Sequence, residues 1–229
     1  MVILMMVMEL LAAGGPARAQ TQLNAPLKRE LDSLYAADQR WRVMLFDRRI
    51  SRRPDSLARA LGVPKSSLQT YVIGQMMRTD SANLLRVRAL VKQYGYPGKL
   101  LVGEPTNQAV WNVVQHSDAI GSFLPLVKQA AAQGELPFYL YAQMLDRQLM
   151  RDGKPQRYGT QGMSYTATDR ATGRREGQLP FIWPIKDPAG VNERRRRAGF
   201  TTTVEQSAAV LGIPYRVVTL KEVAKMPKE

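Results

Sequence analysis

Between Leu27 and Gly153 apolar residues return every three to four positions, and proline or glycine breaks the rhythm at intervals. A chain written this way builds mostly packed helices. In residues 25–47 the apolar stripe is Leu27, Leu31, Leu34, Tyr35, Trp41, Leu45 and Phe46. Asp38 and Arg42 lie one turn apart in this helix, so their side chains can pair. The spacing predicts a long helix over 66–94, capped by Gly95 and followed by a Tyr96-Pro97-Gly98 turn. Further helices are expected over 104–117, 118–133 and 137–153, the first with Pro105 in its tolerant opening turn.

Beyond Gly153 the pattern changes. Residues 156–185 are rich in Gly, Thr, Tyr and other aromatics, and 158–168 and 178–185 read as two strands joined by a basic turn over 170–177. Residues 201–211 return to helix, closed by Gly212 and Pro214. The expected fold class is mainly α (α+β): a compact helical domain with a small β-hairpin near residues 156–185. At 229 residues the chain fits one core, since a single core serves up to roughly 250. Residues 20–229 are therefore expected to form a single globular domain, with the basic, proline-punctuated stretch 48–67 as a local insertion.

Residues 1–19 read as a signal peptide. An apolar run from Val2 to Ala13 is broken by Gly14, Gly15 and Pro16, and Ala17-Arg18-Ala19 places small side chains where a signal peptidase needs them. Cleavage is expected between Ala19 and Gln20, and a periplasmic or secreted location with it. The positive lead-in is missing and Glu9 interrupts the apolar run, so a buried N-terminal helix is the competing reading. No stretch reaches the roughly 18 apolar residues of a membrane span, so none is expected after cleavage.

Charge narrows the partners. Lys plus Arg is 33 against 19 Asp plus Glu, a net charge of +14. Such a surface attracts nucleic acid, anionic lipid head groups or acidic glycans. The basic residues cluster at Arg40–Arg53, at Arg147, Arg151, Lys154 and Arg157, and in the unbroken run Arg194 to Arg197. The plainer reading of these clusters, and the one favoured for charge runs, is a set of solvated faces with a few internal salt bridges. Cysteine is absent, which removes disulfides, thiolate zinc sites and thiol catalysis. A multi-histidine metal site is impossible with one histidine, and no spacing of Glu104, Asp118 and Asp146 suggests a carboxylate site, so neither metal nor cofactor is expected.

That single histidine, His116, is the natural proton carrier near neutrality. Asn112 is one helical turn before it, and Asp118 can orient its ring if the helix ends at Ser117. A core histidine bonded to a carbonyl is the alternative. Asp146-Arg147 sits among Tyr139, Leu140, Leu145 and Leu149, which asks for either a structural ion pair or an arginine held by an aspartate to grip an anion. The stretch 153–161 is dense in glycine and amides, including Gln156, Tyr158, Gly159 and Gln161, but lacks the G-K-[ST] ending of a phosphate loop. Residues 57–68 outline the first two helices of a helix-turn-helix; the pattern is loose, and with the export pattern it leaves nucleic acid an improbable partner.

Taken together these motifs resemble an uncharacterised bacterial domain-of-unknown-function family. The resembling residues are Asp38-Gln39, Asp80 with Asn83, Tyr94 to Pro97, Val102-Gly103-Glu104, and Trp111 to Asp118 with its Gln115-His116-Ser117-Asp118. They continue with Asp146-Arg147, 156–161 with its Gln-x-Tyr-Gly-Thr-Gln, Asp187-Pro188 and Arg194-Arg195, covering about 27–205. The resemblance implies a shared site and no named reaction; it also implies that Arg194 and Arg195 face inward while Arg196 and Arg197 stay solvated.

So many polar groups on apolar helices are unfavourable unless they satisfy one another or a ligand. The expectation is one polar pocket for an anionic or polyhydroxylated small ligand. His116 serves as acid or base, Asp118 or Glu104 orients it, and Arg147 is the anion clamp. Asp38, Gln39, Asp80, Asn83, Gln115, Asp146, Gln156, Tyr158 and Gln161 are the other candidate ligand-binding residues. If it turns over, acid–base hydrolysis or group transfer is the expected chemistry. The rivals are a non-catalytic protein gripping a polyanionic envelope polymer or acidic glycan, a register-fixing polar network, and the helix-turn-helix reading.

Overall fold

A computed structural model describes residues 22–168 and 175–226 of the chain. The expected signal peptide and its cleavage point, and most of the basic turn expected over 170–177, lie outside the described residues. The first helix, α1 (Ala25–Phe46), starts where the Asn24 side chain accepts the Leu27 N–H, with Pro26 in the first turn. It ends at Asp47, whose carboxylate accepts the Arg49 N–H and so opens α2 (Arg48–Ser51). Pro54 opens α3 (Pro54–Leu61), and Gly62 closes it at φ 66°, a left-handed conformation that glycine adopts without strain. A 3₁₀ turn, Lys65–Ser67, leads into α4 (Leu68–Tyr94).

Antiparallel packing of α1 on α4 is fixed by pairs whose numbers run in opposite senses. Glu30 meets Arg86, the Leu34 carbonyl meets Asn83, Trp41 Nε1 meets Thr79, and Arg42 meets Asp80. The basic stretch 48–67 is built into this pair. Its short helices close over an apolar cluster of Trp41, Ala58, Leu68 and Val72 at the end of α1 and the start of α4.

The main core is completed by α5 (Lys99–Val102), α6 (Ala109–Val114), α7 (Ile120–Ala132) and α8 (Phe138–Arg151). Leu31, Val87, Leu90, Val102, Val110, Val114, Ile120 and Met144 are buried in it. The helix expected over 104–117 is much shorter in the structure. It begins as a 3₁₀ turn, Thr106–Gln108, and α6 stops at Val114. Ser117 explains the stop: its hydroxyl donates to the Val114 carbonyl and accepts the Ala119 N–H, replacing helical bonds with local ones. His116 therefore stands in a turn between α6 and α7.

The hairpin is β1 (Gly162–Thr168) and β2 (Arg175–Ile182), antiparallel, with Gly162 opposite Ile182 and Tyr165 opposite Leu179. Its first strand begins four residues later than expected because the backbone of 157–160 is bound by Asp146 instead. Three short helices follow: α9 (Val191–Arg197), α10 (Val204–Val210) and α11 (Leu220–Val223). A separate apolar cluster of Ile182, Val191, Val204, Ala208 and Ile213 joins the hairpin to α9 and α10. Gly159, at φ 67°, lies against it so closely that a β-carbon there would meet Val204 Cγ2 at 2.6 Å and Ile185 Cδ1 at 2.8 Å.

Candidate functional site

Arg42 is the hub of a polar network between α1 and α4. Its Nη1 donates to the Asp38 carbonyl at 2.7 Å, to Asp38 Oδ1 at 3.0 Å and to Asp80 Oδ1 at 2.9 Å; Nη2 donates to Asp80 Oδ2 at 2.8 Å. The fork-on-carboxylate geometry toward Asp80 carries direction as well as charge. Gln39 Nε2 donates to the remaining Asp38 oxygen at 2.7 Å. Burial nonetheless pushes the Asp38 carboxyl up to about 6, against the pull of Arg42 and the Gln39 hydrogen bond. Asn83 is buried behind this network, donating to the Leu34 carbonyl.

Asp80 also faces outward. With Met77, Ser81, Leu84 and Arg88 of α4 it forms one wall of an open cleft of about 450 Å³. The other wall is the turn after α6: His116, Ser117, Asp118 and Ala119. His116 keeps more than a third of its surface open to solvent. Protein crowded round the ring, then the positive fields of Arg42 and Arg147, push its pKa down to about 4; Asp80 pulls weakly the other way. The imidazole is therefore uncharged at neutral pH.

Helix α8 supplies the cations behind the turn. Arg147 Nη1 donates to the Gln115 carbonyl at 2.9 Å, and Arg151 Nη1 to the Ser117 carbonyl at 2.8 Å. Positive groups at these free carbonyls offset the negative end of α6. Arg147 Nε reaches on to Gln161 Oε1 at 3.2 Å, linking the turn to the hairpin.

A second polar centre lies under the hairpin, around Asp146. Its carboxylate accepts the backbone N–H groups of Arg157 (2.7 Å), Tyr158 (3.0 Å) and Thr160 (3.1 Å), and the Thr160 hydroxyl (3.0 Å). Burial raises its pKa while these four bonds hold it down. Gln156, fully buried, donates to the carbonyls of Gln161 and Trp183 and accepts the Gln161 N–H. Arg195 donates to the Tyr158 and Thr202 carbonyls and to the Thr202 and Ser207 hydroxyls, and stacks on Phe200 at 4.4 Å.

The candidate residues thus separate into groups. Asp80, His116 and Asp118 share the cleft; Asp38 and Gln39 connect to it through Arg42 and Asp80; Arg147 holds the Gln115 carbonyl just before its turn. Glu104 is a correction: it is exposed and ion-paired with Lys99 at 3.5 Å, in the turn between α5 and the 3₁₀ entry to α6, and outside the cleft lining. Asn112 is another, since α6 ends before His116. It donates to the Gln108 carbonyl and lines a small separate hollow with Asp32, Tyr35 and Thr106. Asp118 borders the cleft but its ion partner is Arg151, at 3.9 Å. Asp146, Gln156 and Tyr158 are buried in the second centre, so they support the hairpin and present no surface to a ligand. Arg88 and Ser81 of the cleft are not among the residues the sequence singles out; the i, i+4 spacing Met77–Ser81 and Leu84–Arg88 on the His116-facing stripe is the signal that finds them.

Among the described residues no group of three or more His, Asp or Glu side chains is placed to hold a metal ion, and no helix is long and apolar enough to cross a membrane. A family model described as a family of unknown function (DUF6624) matches residues 63–215. The match takes in the cleft turn, α8 and the Asp146 centre, and leaves Asp38 and Arg42 upstream. No curated protein and no solved structure matches the chain.

Proposed function

The chain belongs to this family of unknown function, and from its cleft we propose an exported protein that binds a small anionic or polyhydroxylated ligand between α4 and the 115–119 turn. One observation carries the reading: the only imidazole of the chain stands open at a cleft, kept unprotonated first by the protein packed round it and then by the positive fields of Arg42 and Arg147. Arg88, Arg147 and Arg151 supply positive potential for an anion. A neutral imidazole beside them accepts a proton from a ligand hydroxyl or a water. If the ligand is turned over, hydrolysis or group transfer follows, with His116 as base. Asp38 and Arg42 act through Asp80, setting where α4 presents its cleft face. Export rests on the Ala17-Arg18-Ala19 pattern. Expressed from its own N-terminus in a Gram-negative host, the protein is expected in the periplasm beginning at Gln20; cytoplasmic protein retaining Met1 would remove this part of the reading.

The lone histidine makes the site readable by proton NMR, because one imidazole gives one pair of ring signals. The expected titration midpoint is near 4, moving upward when inorganic phosphate or a hexose phosphate binds. The sign for stability follows. An unfolded chain takes up the proton near 6.5, the folded one only near 4. His116 therefore contributes stability that is whole above 6.5 and is lost as pH falls toward 4. His116→Asn should flatten the fall in melting temperature across that window, change stability at neutral pH by no more than about 0.5 kcal/mol, and abolish stabilisation by the phosphate ligands. A midpoint near 6.5 with no ligand shift, or a variant destabilised by roughly 1–3 kcal/mol that still binds, returns His116 to a structural role.

A further inference from the structure

The corner made by the end of α1, α2 and α3 is unlike the rest of the surface. Phe46 is 74% exposed and Val43 42%. Directly after them come Arg48, Arg49, Arg52 and Arg53, all exposed. Arg49 is held by Asp47; the other three make no ion pair among the described residues. Beside this corner α1, α3 and α4 leave an open groove of about 340 Å³. Met44, Leu45, Leu57, Leu68 and Val72 line it, with Lys65 at its edge. Large exposed apolar side chains beside unpaired arginines are poor company in water and good company at an interface that is apolar below and anionic above.

We propose that residues 43–65 form a docking surface for an anionic lipid bilayer. The arginines meet head-group phosphates, and Phe46 and Val43 enter the head-group–acyl boundary. Charge complementarity selects the occupant, and the distribution of charge argues against nucleic acid. The turn between α3 and α4 has the outline of a helix-turn-helix. Yet the first two turns of α4, residues 68–75, carry no Lys or Arg, so the helix that would enter a DNA groove offers its phosphates no cation. The exposed cations come instead directly after the exposed phenylalanine, at Arg48, Arg49, Arg52 and Arg53. Most of this corner, through Gly62, lies upstream of the segment matched by the family model, and the inference is independent of the ligand assigned to the His116 cleft.

The test is flotation of the full purified chain with phosphatidylcholine vesicles made with or without phosphatidylglycerol. Binding is expected only with the anionic lipid and should weaken as salt rises. Each arginine near such a surface contributes about fivefold to partitioning, so Arg52→Gln with Arg53→Gln should lose about 25-fold, and Phe46→Ser about tenfold. Because the chain has no cysteine, an environment-sensitive fluorophore on Phe46→Cys reads insertion directly. It should shift to the blue on anionic vesicles, while the same label on Val210→Cys, at a residue 85% exposed on α10, should not. Circular dichroism confirms that the variants fold. The proposal is overturned if neutral and anionic vesicles bind alike, if the Phe46 label does not respond, if the arginine substitutions leave binding unchanged, or if the chain ignores vesicles and binds a DNA duplex through the same arginines.

Discussion

Asp146→Asn is expected to lower the free energy of unfolding by roughly 4 kcal/mol, because a single carboxylate holds the whole turn that launches the hairpin. Oδ1 accepts the Arg157 N–H, and Oδ2 accepts the N–H groups of Tyr158 and Thr160 and the Thr160 hydroxyl. An amide keeps the volume and one oxygen. With that oxygen at the Oδ2 position, its NH₂ faces the Arg157 N–H with nothing to accept it. A buried donor left without an acceptor costs about 1–3 kcal/mol, and here the Arg157 N–H and the new NH₂ are orphaned together, donor against donor. Asp146→Ala should cost a similar amount, since it vacates both oxygens. Urea unfolding at neutral pH followed by circular dichroism reads the loss, and amide exchange at Tyr158 and Thr160 locates it. A cost below about 1 kcal/mol would mean that water or a rearranged turn satisfies these groups, and that the carboxylate does not organise 157–160.

The helices around this turn were legible in the sequence because burial there follows a simple period. Leu27, Leu31 and Trp41 lie on the inward stripe of α1, as do Val87 and Leu90 on α4. The Asp38–Arg42 pair follows from the same one-turn spacing. What escaped was whatever depends on the partner element. That Arg42 also clasps Asp80 depends on the register of α1 against α4, which local spacing does not encode. The end of α6 falls earlier than the spacing predicts because Gln115 and His116 continue the helical pattern well enough, and only the Ser117 hydroxyl, competing for the Val114 carbonyl, ends it. The strand starts later than its composition predicts for a tertiary reason: nothing local to 157–160 announces that a carboxylate eleven residues before Arg157 takes its N–H groups. Asp146 and Gln156 stood out correctly as polar residues that need partners. They found those partners in the protein, and so the polar side chains formed two centres where one pocket was expected.

The Arg194–Arg197 run shows how far one residue's environment can depart from its neighbours', and it sets the second large effect. Val191, Arg195 and Ala198 share one stripe at helical spacing, and all three are buried. Arg195 is 2% exposed and has no carboxylate in contact. Two carbonyls, two hydroxyls and the face of Phe200 stand in for a counter-ion, with Asp146 and Glu205 supporting the charge from further off. Arg195→Ala should therefore cost roughly 4 kcal/mol, from the lost packing of a long side chain and from acceptors left dry at Tyr158, Thr202 and Ser207. Arg195→Lys should rescue little, because one ammonium cannot span acceptors arranged around a planar fork. Arg194 bonds the Arg157, Lys186 and Asp187 carbonyls and the Asp187 carboxylate from a more open position, so Arg194→Ala should cost about 1–2 kcal/mol. Arg196 and Arg197 pair with Glu193 in solvent, and their alanine variants should stay within about 0.5 kcal/mol of the parent. Urea midpoints for the four alanine variants and the lysine variant settle the order. Equal losses along the run, or full rescue by lysine, would show that bulk positive charge, and not the single inward-facing guanidinium at 195, holds α9 and α10 against the 157–160 turn.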